Sequence, residues 1–408
     1  MTQQQSPLRF PLTPAPTIYH PSPDYAELRA GCPVPQIELP DGTIAYLATR
    51  HADVRRVFTD PRFSRAAAAG PNRPTRELGS LAEDSLIGMD PPRHTRIRRV
   101  VANAFTPRRV EDMRPTVARL VDEMIDRLMA AGSPADLIPY VSAPLPIYVI
   151  SRLFGIADDD QDRVRTWSDA LVGDWDADPE KPTAALAAFG ELLVARRENL
   201  GDDLMSALIA AWDEHDDLTE RELVSVTAGI FVGGHETTTN QLNLFLLVLA
   251  RHPEQLTALD GNDPAAVASA VDELSRFIQL GDNGILLPRV TTEEVELGGV
   301  RLPAGSAVLP AVVSANRDTT VFADPDRLDL TRANNPHLAF GAGPHHCLGH
   351  ALARMELQEA LGALLRRLPD LHLAVPESQL RFKPGLVVRT LESLPVAWEP
   401  DRGRIETT

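Results

Sequence analysis

Residues 219–251 set the scale of this protein. The run TERELVSVTAGIFVGGHETTTNQLNLFLLVLAR opens on Thr219 with Glu222 three positions later, the reciprocal pair that caps helix N-termini. His252-Pro253 closes it. An unbroken helix of that length spans roughly 50 Å at about 1.5 Å per residue, enough to cross a whole domain. A helix that long and that apolar belongs at the buried centre of its fold. The chain is therefore expected to fold mainly as helices gathered around this one.

The flanking sequence agrees. DPPRHTRIRRVVANAF reads as a helix with Asp90 as its cap and prolines in its first turn. TPRRVEDMRPTVARLVDEMIDRLMAAG repeats the scheme with Thr106 as cap, Pro107 at the first position and Gly132 as stop. Helical pattern continues to about Leu200, interrupted by the acidic turn GDWDADPEKPT. Strands are fewer: VPQIELPDGTIAYLAT reads as a hairpin turning on Asp41-Gly42, and residues 294–313 as short strands. The first 24 residues are proline-rich and expected to lie extended over the surface. No repeat, linker or boundary is visible, so residues 1–408 read as a single domain.

Composition narrows the class. A net charge of -17 argues against nucleic acid, which needs clustered Lys and Arg. The two cysteines, Cys32 and Cys347, form no disulfide framework and suit a reducing cytosol. The N-terminal segment lacks the pattern of a signal peptide, and the longest apolar run, LNLFLLVLA, is too short for a membrane span. A cytoplasmic protein that touches no membrane is expected.

Cys347 lies in FGAGPHHCLG, between glycines and histidines, at the end of a stretch from Ser314 to His346 that shows neither helical nor strand period. Long ordered stretches of that kind tend to be functional. Three readings compete: a packing residue, a zinc ligand, or the thiolate on a haem iron. His345, His346 and His350 make zinc a real rival, yet structural zinc favours two or more cysteines and adjacent ligands fit a tetrahedron poorly. Haem-thiolate ligation asks for one cysteine with backbone N–H groups near the sulfur. Gly341 and Gly343 allow the tight turn, Gly349 a close approach, and the following helix turns its positive end toward the thiolate. In the central run, Gly233-Gly234 weakens the helix, Thr237 can bond the Gly233 carbonyl, and Glu236 adds an acid. Close helix packing explains the glycines equally well. Glu273 and Arg276 can pair three apart, as many surface residues do. His94 and Arg98 share a helical face, either as part of a solvated basic helix or as a clamp on an anion.

Phe340-Gly-Ala-Gly-Pro-His-His-Cys347-Leu-Gly349 resembles the haem-binding loop of the cytochromes P450. GGHETT resembles that family's oxygen-activating helix, and Glu273-Leu-Ser-Arg276 its E-x-x-R pair, all in the family's order. The resemblance implies a single, mainly α P450 fold with a smaller β-rich region and haem b buried between the central helix and the helix after Cys347. It implies Cys347 as axial metal ligand in a loop with Phe340, Gly341 and Gly349. His94, Arg98, Arg289 and His345 would bind the propionates. Glu236 and Thr237 would handle oxygen protonation, and Glu273, Arg276 and Arg327 would form a structural network. The substrate pocket would include Leu86, Ile87, Val232, Gly233, Ile285 and Leu286 (in the stretch to Leu287), and Val387 (within Leu386 to Val388). Ala342 and His346 depart from the commonest loop.

The implied activity is insertion of one atom of O2 into a lipophilic small molecule, by hydroxylation or epoxidation, in natural-product tailoring. Electrons would come from a ferredoxin and its reductase, docking on the basic cluster of Arg96, Arg99, Arg108 and Arg109. The alternatives are a peroxygenase using H2O2, which would tend to lack the acid and alcohol, and a non-enzymatic haem sensor.

Overall fold

The central helix runs from Glu220 to Ala250, with Thr219 and Glu222 forming the reciprocal capping box and Arg251 at its end. In this computed structural model the described residues are 7–15, 17, 19–69, 85–172, 180–214, 219–278, 280–281, 287–383 and 388–399. Among them no helix is long and apolar enough to cross a membrane. The chain divides into two compact units, one made of Met1–Arg96, Glu273–Leu328 and Ala333–Cys347, the other of Ile97–Asp272, Asp329–Arg332 and Leu348–Thr408.

The second unit is helical. The central helix packs on Pro144–Leu153, Gln161–Val172, Glu180–Arg197 and His350–Arg367. Helix His350–Arg367 also packs on Pro107–Ala131, where Arg114 donates to Glu359 at 2.6 Å. Pro107–Ala131 starts and stops where its sequence says: the Thr106 hydroxyl accepts from the Arg109 N–H, and Gly132 ends it. A small sheet of Ala135–Asp136, Pro395–Ala397 and His372–Leu373 completes this unit.

The first unit holds most of the strands. Its main sheet has the order Leu8–Arg9, Gln36–Glu38, Ile44–Ala48, Ala307–Pro310, Arg289–Thr291, Phe63–Ser64. The hairpin pairs Gln36 with Tyr46 and Glu38 with Ile44 around the Asp41-Gly42 turn. Apolar clusters cover this sheet: Ile37, Leu47 and Leu309 in one, and Val57, Phe58, Leu297 and Val308 in the other.

The long aperiodic stretch is ordered by side chains in place of a ladder. Its helical segments are the short helix Val312–Ala315 and one 3-10 turn at Gly343–His345, and the rest is irregular turns. The Asp318 carboxylate accepts from the His51 N–H at 2.9 Å, and the Asn316 side-chain oxygen from the Leu338 N–H at 2.8 Å. Those bonds supply the backbone partners that regular structure would otherwise give.

Asp90 is placed differently from its expected capping role. The helix starts at Arg93, and the Asp90 carboxylate turns to the Ser64 hydroxyl and the Arg65 N–H. Buried strand-end donors claim the acid before the exposed helix start can.

Candidate active site

The Cys347 loop is shaped by its glycines. Gly341 and Gly343 adopt φ of +70° and +68°, a region that side-chain-bearing residues rarely enter. At Gly343 a Cβ would also stand 2.5 Å from the Phe58 carbonyl, so the loop lies against the helix His51–Thr59 with no room for a side chain. The Cys347 N–H donates back to the Phe340 carbonyl at 2.8 Å, and the His346 N–H to Gly343 at 3.0 Å. The loop is closed on itself and Cys347 is exposed. Among the described residues Cys347 joins no convergent group of His, Cys, Asp and Glu ligand atoms. Gly349 caps the helix that follows.

In the same unit lies a pocket of buried positive charge. Arg289 is 1% exposed, its Nη1 donates to the Leu287 carbonyl at 2.5 Å, and its guanidinium lies 5.5 Å from the Phe58 ring centre. Its Nη2 has no hydrogen-bond partner among the described residues. Burial first, then Arg65, pushes this guanidinium down to about 8, with Asp90 opposing. Arg65 is 2% exposed, donates to the Ile87 and Pro288 carbonyls at 2.8 and 2.6 Å, and is likewise lowered to about 10 by burial. Sequence reasoning missed Arg65; nothing near it resembles a motif. His94, 1% exposed, faces His345 with ring centres 4.2 Å apart. Arg98 sits one turn after His94 on helix Arg93–Ala102.

The Glu273–Arg276 pair is fully buried and bidentate, both N–O distances being 2.8 Å. Arg276 also donates to the carbonyls of Asn316 and Pro325 at 2.8 Å, and the Asn335 amide donates to Glu273 at 3.2 Å. The Arg327 carbonyl accepts from Arg276 at 3.4 Å, and the residue is exposed. The second buried guanidinium belongs to Arg317, which donates to the Phe277 carbonyl at 2.9 Å and covers the Phe277 ring at 3.9 Å. A guanidinium inside the fold needs carbonyls on several sides, and Pro325, Tyr19 and Phe277 offer them to Arg317.

On the central helix the two glycines differ. A Cβ on Gly234 would meet Ile150 at 3.0 Å, so Gly234 allows helix packing; a Cβ on Gly233 would meet nothing within 4 Å. Beside that open space the Thr237 hydroxyl donates to the Gly233 carbonyl at 2.7 Å, the backbone bond foreseen from spacing. The Glu236 side chain is buried on the same helix and accepts at Oε1 from the Thr390 hydroxyl at 2.7 Å and the Asn240 amide at 2.8 Å. Ligand-type atoms of Asp169, His235 and Glu236 lie within 4.8 Å of one another. Asp169 is raised by burial and by Glu236.

His235 is held down at about 4, chiefly by burial and further by Arg165 and Lys383, against the pull of Glu236. When the chain unfolds, this imidazole titrates near its ordinary 6.5. The unfolded state thus binds more protons between pH 6.5 and about 4, so stability falls as pH drops through that window. We expect about 2 kcal/mol of loss at pH 5 relative to pH 7. His235→Gln should lose less stability than the parent over that range in paired thermal melts; equal losses would contradict the assignment.

The expected pocket residues are placed unevenly. Leu86 is buried and Ile87 exposed at 37% on the turn Leu86–Gly88. Val232 is half-buried next to Gly233, Leu287 has a positive φ of 54°, and Val388 is buried. Ile285, Leu286, Leu386 and Val387 lie outside the described residues. The expected basic cluster is partly neutralised: Arg108 pairs with Asp112 at 4.0 Å and Arg109 with Asp202 at 3.3 Å. Arg96 is half-buried and Arg99 exposed.

Comparison with known proteins decides the family. The Cytochrome P450 family model matches residues 189–262 and 266–390. The chain is 46% identical to the nocardicin C N-oxygenase of Nocardia uniformis subsp. tsuyamanensis, across 92% of this chain and 95% of that protein. It is 42% identical to the mycinamicin IV hydroxylase/epoxidase of Micromonospora griseorubida, across 92% and 94%. The chain belongs to the cytochrome P450 family. Among solved structures, the cytochrome P450 hydroxylase of the leinamycin biosynthetic pathway of Streptomyces atroolivaceus superposes with a TM-score of 0.87 at 40% identity, over 96% of this P450 and all of that chain.

The residues of this P450 fit the haem that its family uses. The loop presents an exposed thiol. The pocket of Arg65 and Arg289 holds two buried guanidinium groups against one carboxylate, Asp90, that is already bonded to Ser64 and the Arg65 N–H. Uncompensated buried cations of that kind call for an anionic partner, and haem brings two carboxylates. The protein is a haem-thiolate monooxygenase, and such bacterial P450s draw on O2 and redox partners.

Proposed function

We propose that this P450 inserts one oxygen atom into a lipophilic small molecule, by hydroxylation or epoxidation, in the tailoring of a natural product. The relatives support the class, since those compared above act on nocardicin C and mycinamicin IV or serve leinamycin biosynthesis. Haem b is the proposed cofactor, a ferredoxin with its reductase the electron source, and the cytoplasm the location. The chain is proposed to work as one P450 domain.

Haem, when bound, supplies dioxygen reduction and the oxidation of carbon. Cys347 would hold the iron through Sγ. Arg289 would meet a propionate with the Nη2 that the protein leaves open, and His94, Arg98 and His345 would share that load. Phe340 and Gly341 fix the loop, through the Phe340 carbonyl and the Gly341 turn. The protein's own chemistry is proton handling. The Thr237 hydroxyl rests on the Gly233 carbonyl beside open space, and by turning off that carbonyl it would donate to dioxygen. Glu236 replaces that proton through its carboxyl group. The proposed pocket residues Leu86, Ile87, Val232 and Gly233 are apolar, which favours lipophilic molecules, and Ile285, Leu286 and Val387 are proposed with them on sequence alone.

The observation that carries this reading is the opening at Gly233 with Thr237 and Glu236 beside it, which favours O2 chemistry over the peroxygenase alternative. Thr237→Ala is expected to consume reductant at a rate near the parent's but to release hydrogen peroxide in place of most product, since a positioned acid or alcohol contributes roughly 10²-fold or more. Product formed as efficiently per electron as in the parent would rule out the role.

A further inference from the structure

Glu236 is held by residues that no motif marks. Its Oε1 accepts from the Thr390 hydroxyl at 2.7 Å and the Asn240 amide at 2.8 Å, and Asn240 also donates to the Glu236 carbonyl at 2.9 Å and to Thr390 Oγ1 at 3.0 Å. The three residues are 8%, 0% and 7% exposed for Glu236, Asn240 and Thr390. Thr390 is anchored in turn by its backbone: its carbonyl accepts from the Lys383 N–H at 2.8 Å, next to the Phe382–Leu391 bridge. The other carboxylate oxygen, Oε2, accepts no hydrogen bond from any described residue.

We infer that Thr390 and Asn240 are positioning residues that clasp the Glu236 carboxylate by one oxygen and keep the other in place for proton transfer to Thr237. The inference rests on the acid–alcohol reading above. A glutamate has freely turning side-chain bonds, and one that swings cannot deliver protons at a fixed point. Here two donors converge on one oxygen and a closed ring of hydrogen bonds locks the rotamer. In a buried site the geometry that such hydrogen bonds impose is hard to escape. Asn240, one turn along the same helix, cannot provide this alone, because it moves with the helix. Thr390, on a separate segment 154 residues away, is the fixed point.

The test uses the holoenzyme labelled with ¹³C-glutamate. Infrared difference spectra of parent minus Glu236→Gln isolate the Glu236 carboxylate stretch. Thr390→Val keeps the volume and removes the hydroxyl; the band should move from its parent position, and Thr390→Ser should restore it. In parallel, with ferredoxin and reductase and no organic substrate, hydrogen peroxide per reductant should rise about fivefold in Thr390→Val, the weight of one such bond, and return in Thr390→Ser. A Glu236 band unmoved by Thr390→Val, or a serine variant that restores neither readout, overturns the inference. If Glu236→Gln itself leaves peroxide yield at the parent level, the acid–alcohol reading fails instead, whatever the band does.

Discussion

Arg276→Ala is expected to cost on the order of 3–5 kcal/mol of stability, the typical result of breaking a buried ion pair by removing one partner. Both residues are fully buried, and the guanidinium satisfies Glu273 with two bonds and the Asn316 and Pro325 carbonyls with one each. Truncation leaves a carboxylate in the interior without its guanidinium partner, the Asn335 amide remaining at 3.2 Å, and takes the donor from the buried Asn316 carbonyl, whereas the Pro325 carbonyl keeps Arg317 at 3.1 Å. It also removes the cation from beside the rings of Phe322 and Phe277, at 5.3 and 5.8 Å. Arg276→Lys should recover only part of the loss, because an ammonium cannot reproduce the planar fork. Thermal melts should show a drop on the order of 10 °C for the alanine variant. A midpoint within a degree of the parent would mean that the network carries no stability.

What could be read from sequence followed short-range rules. The Thr219–Glu222 box, the Thr106-Pro107 start and the Asp41-Gly42 turn each depend on residues within three positions, so local chemistry dictates them. The Thr237–Gly233 bond is also local, one helical turn. The burial of Glu273 and Arg276 was not readable, because the same spacing occurs on exposed helices and only the turns at 316–335 enclose it. Asp90 looked like a cap because its position is right for one; its true partners, Ser64 and Arg65, lie about 25 residues upstream. Arg317 stands within ten residues of Arg327 and has the buried role, a distinction set by carbonyl directions that no side-chain pattern encodes. Arg65 and Thr390 act across 223 and 154 residues respectively. Such partners leave no periodic trace.

The account stands or falls on Cys347. The loop holds it exposed, closed by the Phe340 carbonyl and bent at glycines that accept no side chain. Cys32, the other cysteine, is half-buried at the end of helix Asp24–Gly31 and has no such setting. The decisive measurement is the absorption spectrum of the reduced protein under carbon monoxide. Thiolate ligation should give a strongly red-shifted Soret band in the parent and in Cys32→Ala, and Cys347→His should lose it. A Cys347→His protein that binds haem and keeps the shifted band would contradict the assignment.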